Sequence, residues 1–285
     1  IPTGSMTDRL HPSPIHSFFE FAWAARSGIL IGMTTLPTSG TSAEENAVSL
    51  LLDLFGRAFS RVHVLHNMIY PTGENTAVKT TEVDALVICN AGIFLFEVKG
   101  WVNCKVVRTK GAAGQSNWEL VCNNDFRQQV RDPLHQVGGK MRFVMPIVQD
   151  SLMSHLSDHT LEAVHTVEAL SHEGAGREIN VLVQNIVNRI QSPNIRNRSY
   201  VLLPQPNVEL DMNIPATVMT AQELPLVVRQ IIFETKKNAK GMMPFSDAMV
   251  DRMANDLHHA GTRISTGEHI ANVKAVYEKT EAATA

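Results

Sequence analysis

Apolar residues recur along the chain at two different periods, and the switches between them outline the elements. From Ser42 to Phe59, "SAEENAVSLLLDLFGRAF", Ala47, Leu50, Leu51, Leu54 and Phe55 fall at helical intervals. Ser42 with Glu45 has capping-box spacing at the start of that helix. "RVHVLHNMIY", Arg61 to Tyr70, reads as a strand, and "PTGEN" turns the chain. Thr81 to Trp101, "TEVDALVICNAGIFLFEVKGW", carries two apolar runs around Asn-Ala-Gly, the pattern of a β-hairpin. "NCKVVRT" predicts a further strand, and Gly111 to Ser116 a loop. A helical run then opens at Asp132, an N-cap residue with Pro133 in the first helical position. Gly138 and Gly139 weaken that helix locally, and residues 150–190 are helical with a break at "SHEGAGRE". "SYVLLP", Ser199 to Pro204, is a short apolar strand, and "TAQELPLVVRQIIFE" a helix despite Pro225. Ser246 and Gly261 bound another helix, and a last one runs to about Lys279. Mixed strands and helices without internal repeats predict an α/β core with helical additions.

Composition leaves this picture intact and narrows the function. With 285 residues, 44% hydrophobic and 19% charged, the chain has material for a buried core. A net charge of −3 removes any general attraction for nucleic acid, but the charge is uneven. Lys99 to Arg142 holds eight Lys/Arg against three acids, leaving the remainder strongly acidic. Lys105, Arg108, Lys110, Arg131 and Lys140 in this stretch are the candidate nucleic-acid contacts. Cys89, Cys104 and Cys122 show no CxxC spacing, which suits a reducing, cytoplasmic setting. The apolar stretch Ser17–Leu36 carries Glu20, Arg26 and two glycines, too broken for stable membrane insertion. Gly4-Ser5-Met6 has the form of a tag scar, so Ile1–Ser5 is set aside.

The hairpin poses the chemical question, because Glu82, Asp84, Glu97 and Lys99 sit inside its apolar arms. Side chains alternate faces along a strand, so Asp84 shares a face with Leu86, and Glu97 and Lys99 share one with Leu95. A two-residue turn at Asn90-Ala91 sets Asp84 opposite Glu97; one at Ala91-Gly92 sets it opposite Lys99. Either of these registers gathers all three on one face, whereas a three-residue turn would reverse this unless a bulge at Gly92 restored the parity. Two carboxylates held together need a cation between them or a shared proton. The pair therefore predicts a hard, oxygen-ligated ion, Mg²⁺ or Mn²⁺, with Lys99 placed to orient a water or neutralise phosphate charge. That set of groups suits phosphodiester hydrolysis.

On these residues the chain resembles the nuclease-related NERD domain of the PD-(D/E)XK superfamily. The resemblance runs through "AEENAV" at 43–48, "EVDALVI" at 82–88, "AGIFLFEVKGW" at 91–101, Trp118 and "DPLHQV" at 132–137. "SYVLLP" and "VMTAQELPLVVRQI" look like the closing strand and helix, so it spans roughly 43–232 with 143–196 as an insert. It implies a restriction-endonuclease-like α/β core, a mixed central sheet flanked by helices. The domain would cover 42–232, between an arm over 1–41 and a helical extension over 233–285. It implies that Asp84 and Glu97 ligate the metal with the backbone carbonyl of Val98, and that Lys99 holds the attacking water. Glu45 becomes the helix carboxylate near the metal, and Gln136 a residue beside the site. Asp132 stands where Asn is usual, Lys140 where related nucleases carry Tyr, and Gly100 where a polar residue is common. The implied partner is DNA in preference to RNA, in a bacterial repair or defence setting, and the helical extensions could support a homo-oligomer.

Two other classes remain at this point. The same scaffold could bind nucleic acid or a protein without cutting. His155 and His159, four apart on a helix, could share zinc, although no third ligand falls at zinc spacing. Arg189, Arg196 and Arg198 read as a solvated loop in preference to a phosphate contact, and Trp101 and Trp118 as packing residues.

Overall fold

The computed structural model describes residues 42–72, 79–110, 116–122, 126–170, 195–237 and 244–284. Helix α1 (Ser42–Ala58) precedes β1 (Val62–Pro71), β2 (Thr80–Cys89) and β3 (Gly92–Val98). Strands β4 (Cys104–Lys110), β5 (Ser116–Cys122) and β6 (Arg127–Val130) follow, then helices α2 (Pro133–Gly138) and α3 (Met141–Leu170). The chain continues through β7 (Asn197–Leu203), β8 (Val208–Leu210) and β9 (Val218–Thr220) to helices α4 (Leu224–Lys237), α5 (Asp247–Gly261) and α6 (Thr266–Thr284).

The strands form two sheets, ordered β1-β2-β3-β7-β9 and β6-β5-β4-β8. In the first, β1, β2 and β3 pair antiparallel, while β7 joins β3 and β9 joins β7 in parallel. Its two faces alternate as a pleated sheet must. Ala85, Val87, Phe94, Phe96 and Val98 look toward α1 and α4. Leu86, Ile88, Ile93 and Leu95 look the other way, into a core shared with α3, α5 and the inner face of the second sheet. Helix α1 covers the first face with Ala47, Val48, Leu51, Leu52 and Phe55, whose spacing makes one buried stripe. Phe55 rests 5.6 Å from Phe94, ring centre to ring centre. All seven residues of β3 are buried, Glu97 among them, because helices cover both sides of this central strand.

Local signals placed most boundaries. The Asp132 carboxylate accepts hydrogen bonds from the N–H groups of Leu134 and His135 ahead of Pro133. Gly138 ends α2, so the expected single helix is two helices meeting at Gly139-Lys140. The Ser246 side chain caps α5, which stops at Gly261. Helix α6 runs to Thr284, past the expected end near Lys279. The pattern reading did not resolve β5, β6, β8 and β9. The last two have three residues each, and β6 is mostly exposed and polar, so hydrophobic periodicity is too short to register there. The break at "SHEGAGRE", Arg189 and the segment Ser17–Leu36 lie outside the described residues. Among the described residues, no helix is long and apolar enough to cross a membrane.

Candidate active site

The turn of the β2–β3 hairpin consists of Asn90 and Ala91, since Cys89 pairs with Gly92. Asn90 anchors it: its side-chain oxygen accepts from the Ser60 hydroxyl and the Arg61 N–H, and its amide nitrogen donates to the Phe245 carbonyl and Asp247. Gly92 has φ 143°, and its Cα faces the Arg196 carbonyl so closely that a Cβ would lie 2.3 Å from that oxygen. The turn fixes the register through Ala85 opposite Phe96, and one step further along stand Asp84 and Glu97. Lys99 lies on the same face, just past the end of β3, where its N–H donates to the Leu202 carbonyl. The first of the two registers left open by the sequence is the one adopted.

Each carboxylate oxygen of this pair has a donor. Asp84 Oδ2 accepts from the Val98 N–H at 2.8 Å. Glu97 Oε1 accepts from Lys99 Nζ at 2.7 Å. The other two oxygens, Asp84 Oδ1 and Glu97 Oε2, both accept from Lys140 Nζ, at 3.3 and 2.5 Å. Lys140 comes from the turn between α2 and α3, 43 residues beyond Glu97. The site is thus two carboxylates and two ammonium groups, electrically balanced and largely shielded: Glu97 is only 4% exposed.

These surroundings push the two acids apart. Burial raises Asp84 above the ordinary carboxylate range, Glu97 adds to the rise, and Lys140 only partly opposes it. Burial acts on Glu97 in the same sense, but Lys140 and Lys99 together hold it below that range. Burial disfavours the charge on Lys140, yet Asp84 and Glu97 outweigh it and raise its ammonium above the ordinary lysine value. Acids separated in this way differ in readiness to carry a proton, a feature common where carboxylates act chemically.

Other expected site residues are placed differently. Glu45 is exposed on α1, which packs on the sheet face opposite the acids; its helix neighbour Glu44 is the half-buried carboxylate. Gln136 lies on α2 and lines a cleft of about 580 Å³ with His135, Lys140, Arg142 and Phe143; its side-chain oxygen is buried without a partner. Lys140, expected among the surface phosphate contacts, is instead drawn between the acids, because α2 and α3 pack over their face of the sheet. Lys105 is exposed on β4 and lies 3.6 Å from Asp211. Arg108 points to the other face of that strand, donating to Ser116 over the ring of buried Trp118. Arg131 is exposed ahead of α2, and Lys110 ends β4, its side chain outside the described residues. Arg196 and Arg198 do not form a solvated loop. Arg196 is buried, donating to the Ile231 carbonyl and the Thr235 hydroxyl of α4, and Arg198 pairs with Glu234 at 2.7 Å.

Asn67 was not singled out by the pattern. It stands on β1 between the pairs His66–Ala85 and Met68–Val83, directly across from Asp84. Its backbone is left-handed, φ 51°, and its side-chain oxygen is buried without a partner. Such strain in a non-glycine residue clusters at functional sites. An asparagine inside a strand run was the one available signal.

The donor set suits a small hard cation, because a positive nitrogen already stands between two carboxylates. Among the described residues, no group of three or more His, Cys, Asp or Glu is placed to hold a metal. Any ion here would rest on the two acids with backbone and solvent oxygens, which is the usual manner of Mg²⁺.

A mixed sheet flanked by helices, with this hairpin at its centre, is a restriction-endonuclease-like α/β core. Residues 39–167 match the family model described as nuclease-related domain, NERD. No curated protein matches the chain. No solved structure matches it either.

Proposed function

We propose that the protein is a divalent-metal-dependent nuclease that hydrolyses phosphodiester bonds, of DNA in preference to RNA. The observation that carries this reading is the convergence of Asp84, Glu97 and Lys99 on one face of a hairpin whose turn sets their register. Asp84 and Glu97 would hold Mg²⁺ or Mn²⁺ with the Val98 carbonyl. The ion would supply positive charge at the scissile phosphate. Lys99 donates a hydrogen bond to the attacking water and orients it, with Glu97 Oε1 holding the ammonium in place. Gln136, with an oxygen left unpaired at the cleft, positions the bound strand. Exposed Lys105 and Arg131 take backbone phosphates, a contribution that weakens as salt rises.

The second reading is a module that binds nucleic acid or a protein without cutting, and the observation that favours it is Lys140 between the acids. One assay separates the two. The full chain is incubated with single-stranded, double-stranded and circular DNA, and with RNA, plus Mg²⁺ or Mn²⁺, beside Glu97→Ala and Lys99→Ala. Cleavage lost in both variants supports the nuclease; cleavage that persists in both refutes it, and binding without cleavage favours the module.

A further inference from the structure

We propose that Lys140 is the internal counter-ion of the acid pair and that a divalent metal enters only by displacing its ammonium group from between Asp84 and Glu97. This rests on the metal-site reading above and adds its regulation. Three observations carry it. Lys140 Nζ touches one oxygen of each acid, at 3.3 Å from Asp84 and 2.5 Å from Glu97, the position a bridging cation must take. Its backbone is held, with its N–H on the Val137 carbonyl and its carbonyl on the Phe143 N–H, so the side chain alone can withdraw. It has somewhere to go: the cleft lined by Gln136, Lys140 and Arg142 adjoins it. A Cβ on Gly138 or Gly139 would meet nothing within 4 Å, so the space beside the turn is open.

The physics is competition for one place. Ammonium and metal ion cannot both occupy the gap between the acids. The free protein therefore sits in a closed, charge-balanced state, and the apparent metal affinity falls by the share of molecules so closed. A withdrawn Lys140 would lie beside Arg142, where an incoming phosphate can take both charges. Substrate would thereby favour the state that admits metal.

The test is metal binding, without reference to turnover. Mn²⁺ binding to the full chain is followed by electron paramagnetic resonance in the wild type, Lys140→Met, Lys140→Gln and Lys140→Arg. Folding is checked by circular dichroism, and the double variant Asp84→Asn/Glu97→Gln serves as the empty-site control. Losing the competing charge should tighten Mn²⁺ by about tenfold or more in Lys140→Met and Lys140→Gln, while Lys140→Arg stays near the wild type. Lys140→Gln can still hydrogen-bond both acids, so it keeps the test open if Lys140→Met does not fold. Affinity unchanged or weaker in the neutral variants overturns the counter-ion role and leaves the metal site standing. Mn²⁺ bound by neither the wild type nor the neutral variants overturns both.

Discussion

Glu97→Gln is the most informative single substitution, because it removes one charge from a balanced set of four. Glu97 is 4% exposed and takes Lys99 at 2.7 Å and Lys140 at 2.5 Å. The glutamine fills the same volume, so packing is preserved and the change is electrostatic. Breaking a buried ion pair from one side costs about 3–5 kcal/mol, since the remaining charge stays buried without its partner. Two features of this site lower the figure. Lys99 is partly exposed and can turn its ammonium to water, and Lys140 keeps Asp84 at 3.3 Å. Relief of the repulsion between Glu97 and Asp84 acts in the same direction. The expected loss is therefore about 3 kcal/mol, at the low end of that range. For a domain of this size it corresponds to a fall of roughly 6–12 °C in melting temperature. Thermal unfolding followed by circular dichroism at pH 7 in chelator measures it. The double variant Glu97→Gln/Lys140→Met should lose less than the sum of its two single variants, since both singles break the same contact. A fall under about 2 °C, with additive single variants, would show that the four charges do not act as a unit.

Three further outcomes follow from the same geometry. Lys99→Ala should lower Mg²⁺-dependent cleavage by about 10²–10³-fold yet cost only about 1 kcal/mol of stability, as its side chain is partly exposed; steady-state kinetics beside thermal unfolding checks the split. Gly92→Ala should cost at least about 2 kcal/mol, since its φ of 143° is unfavourable to L residues and its Cβ would meet the Arg196 carbonyl at 2.3 Å; a near-wild-type urea midpoint would contradict this. Glu97 has a folded pKa below its ordinary 4.5, so its contribution is present above that value and lost as pH falls through the folded value, whereas Asp84, raised, carries the opposite sign. The stability gap between the wild type and Glu97→Gln should accordingly narrow as pH falls from neutral through that range, in melts recorded across it.

Much of the site was written in one stretch of chain. Period-two alternation around Asn-Ala-Gly is a local property, and with a two-residue turn it puts Asp84, Glu97 and Lys99 on one face; the structure decided that the turn is Asn90-Ala91. The N-caps at Asp132 and Ser246 and the break at Gly138 were equally legible, since a cap or a glycine acts within a few residues. Glu45 is ambiguous in sequence, because capping-box spacing and an active-site carboxylate look alike there. Asn67 and Lys140 belong to the other category. Neither lies near Asp84 in sequence, and what brings them there is strand pairing in one case and the packing of α2 and α3 over the sheet in the other. Lys140 by itself reads as one more basic residue in a basic segment. Its role as partner to both acids depends on long-range burial, which shields the site from water and makes an uncompensated carboxylate costly. The sequence alone thus determined which acids meet; the tertiary structure decided which cation stands between them, because charge balance in a buried site is settled by whatever the fold packs against it.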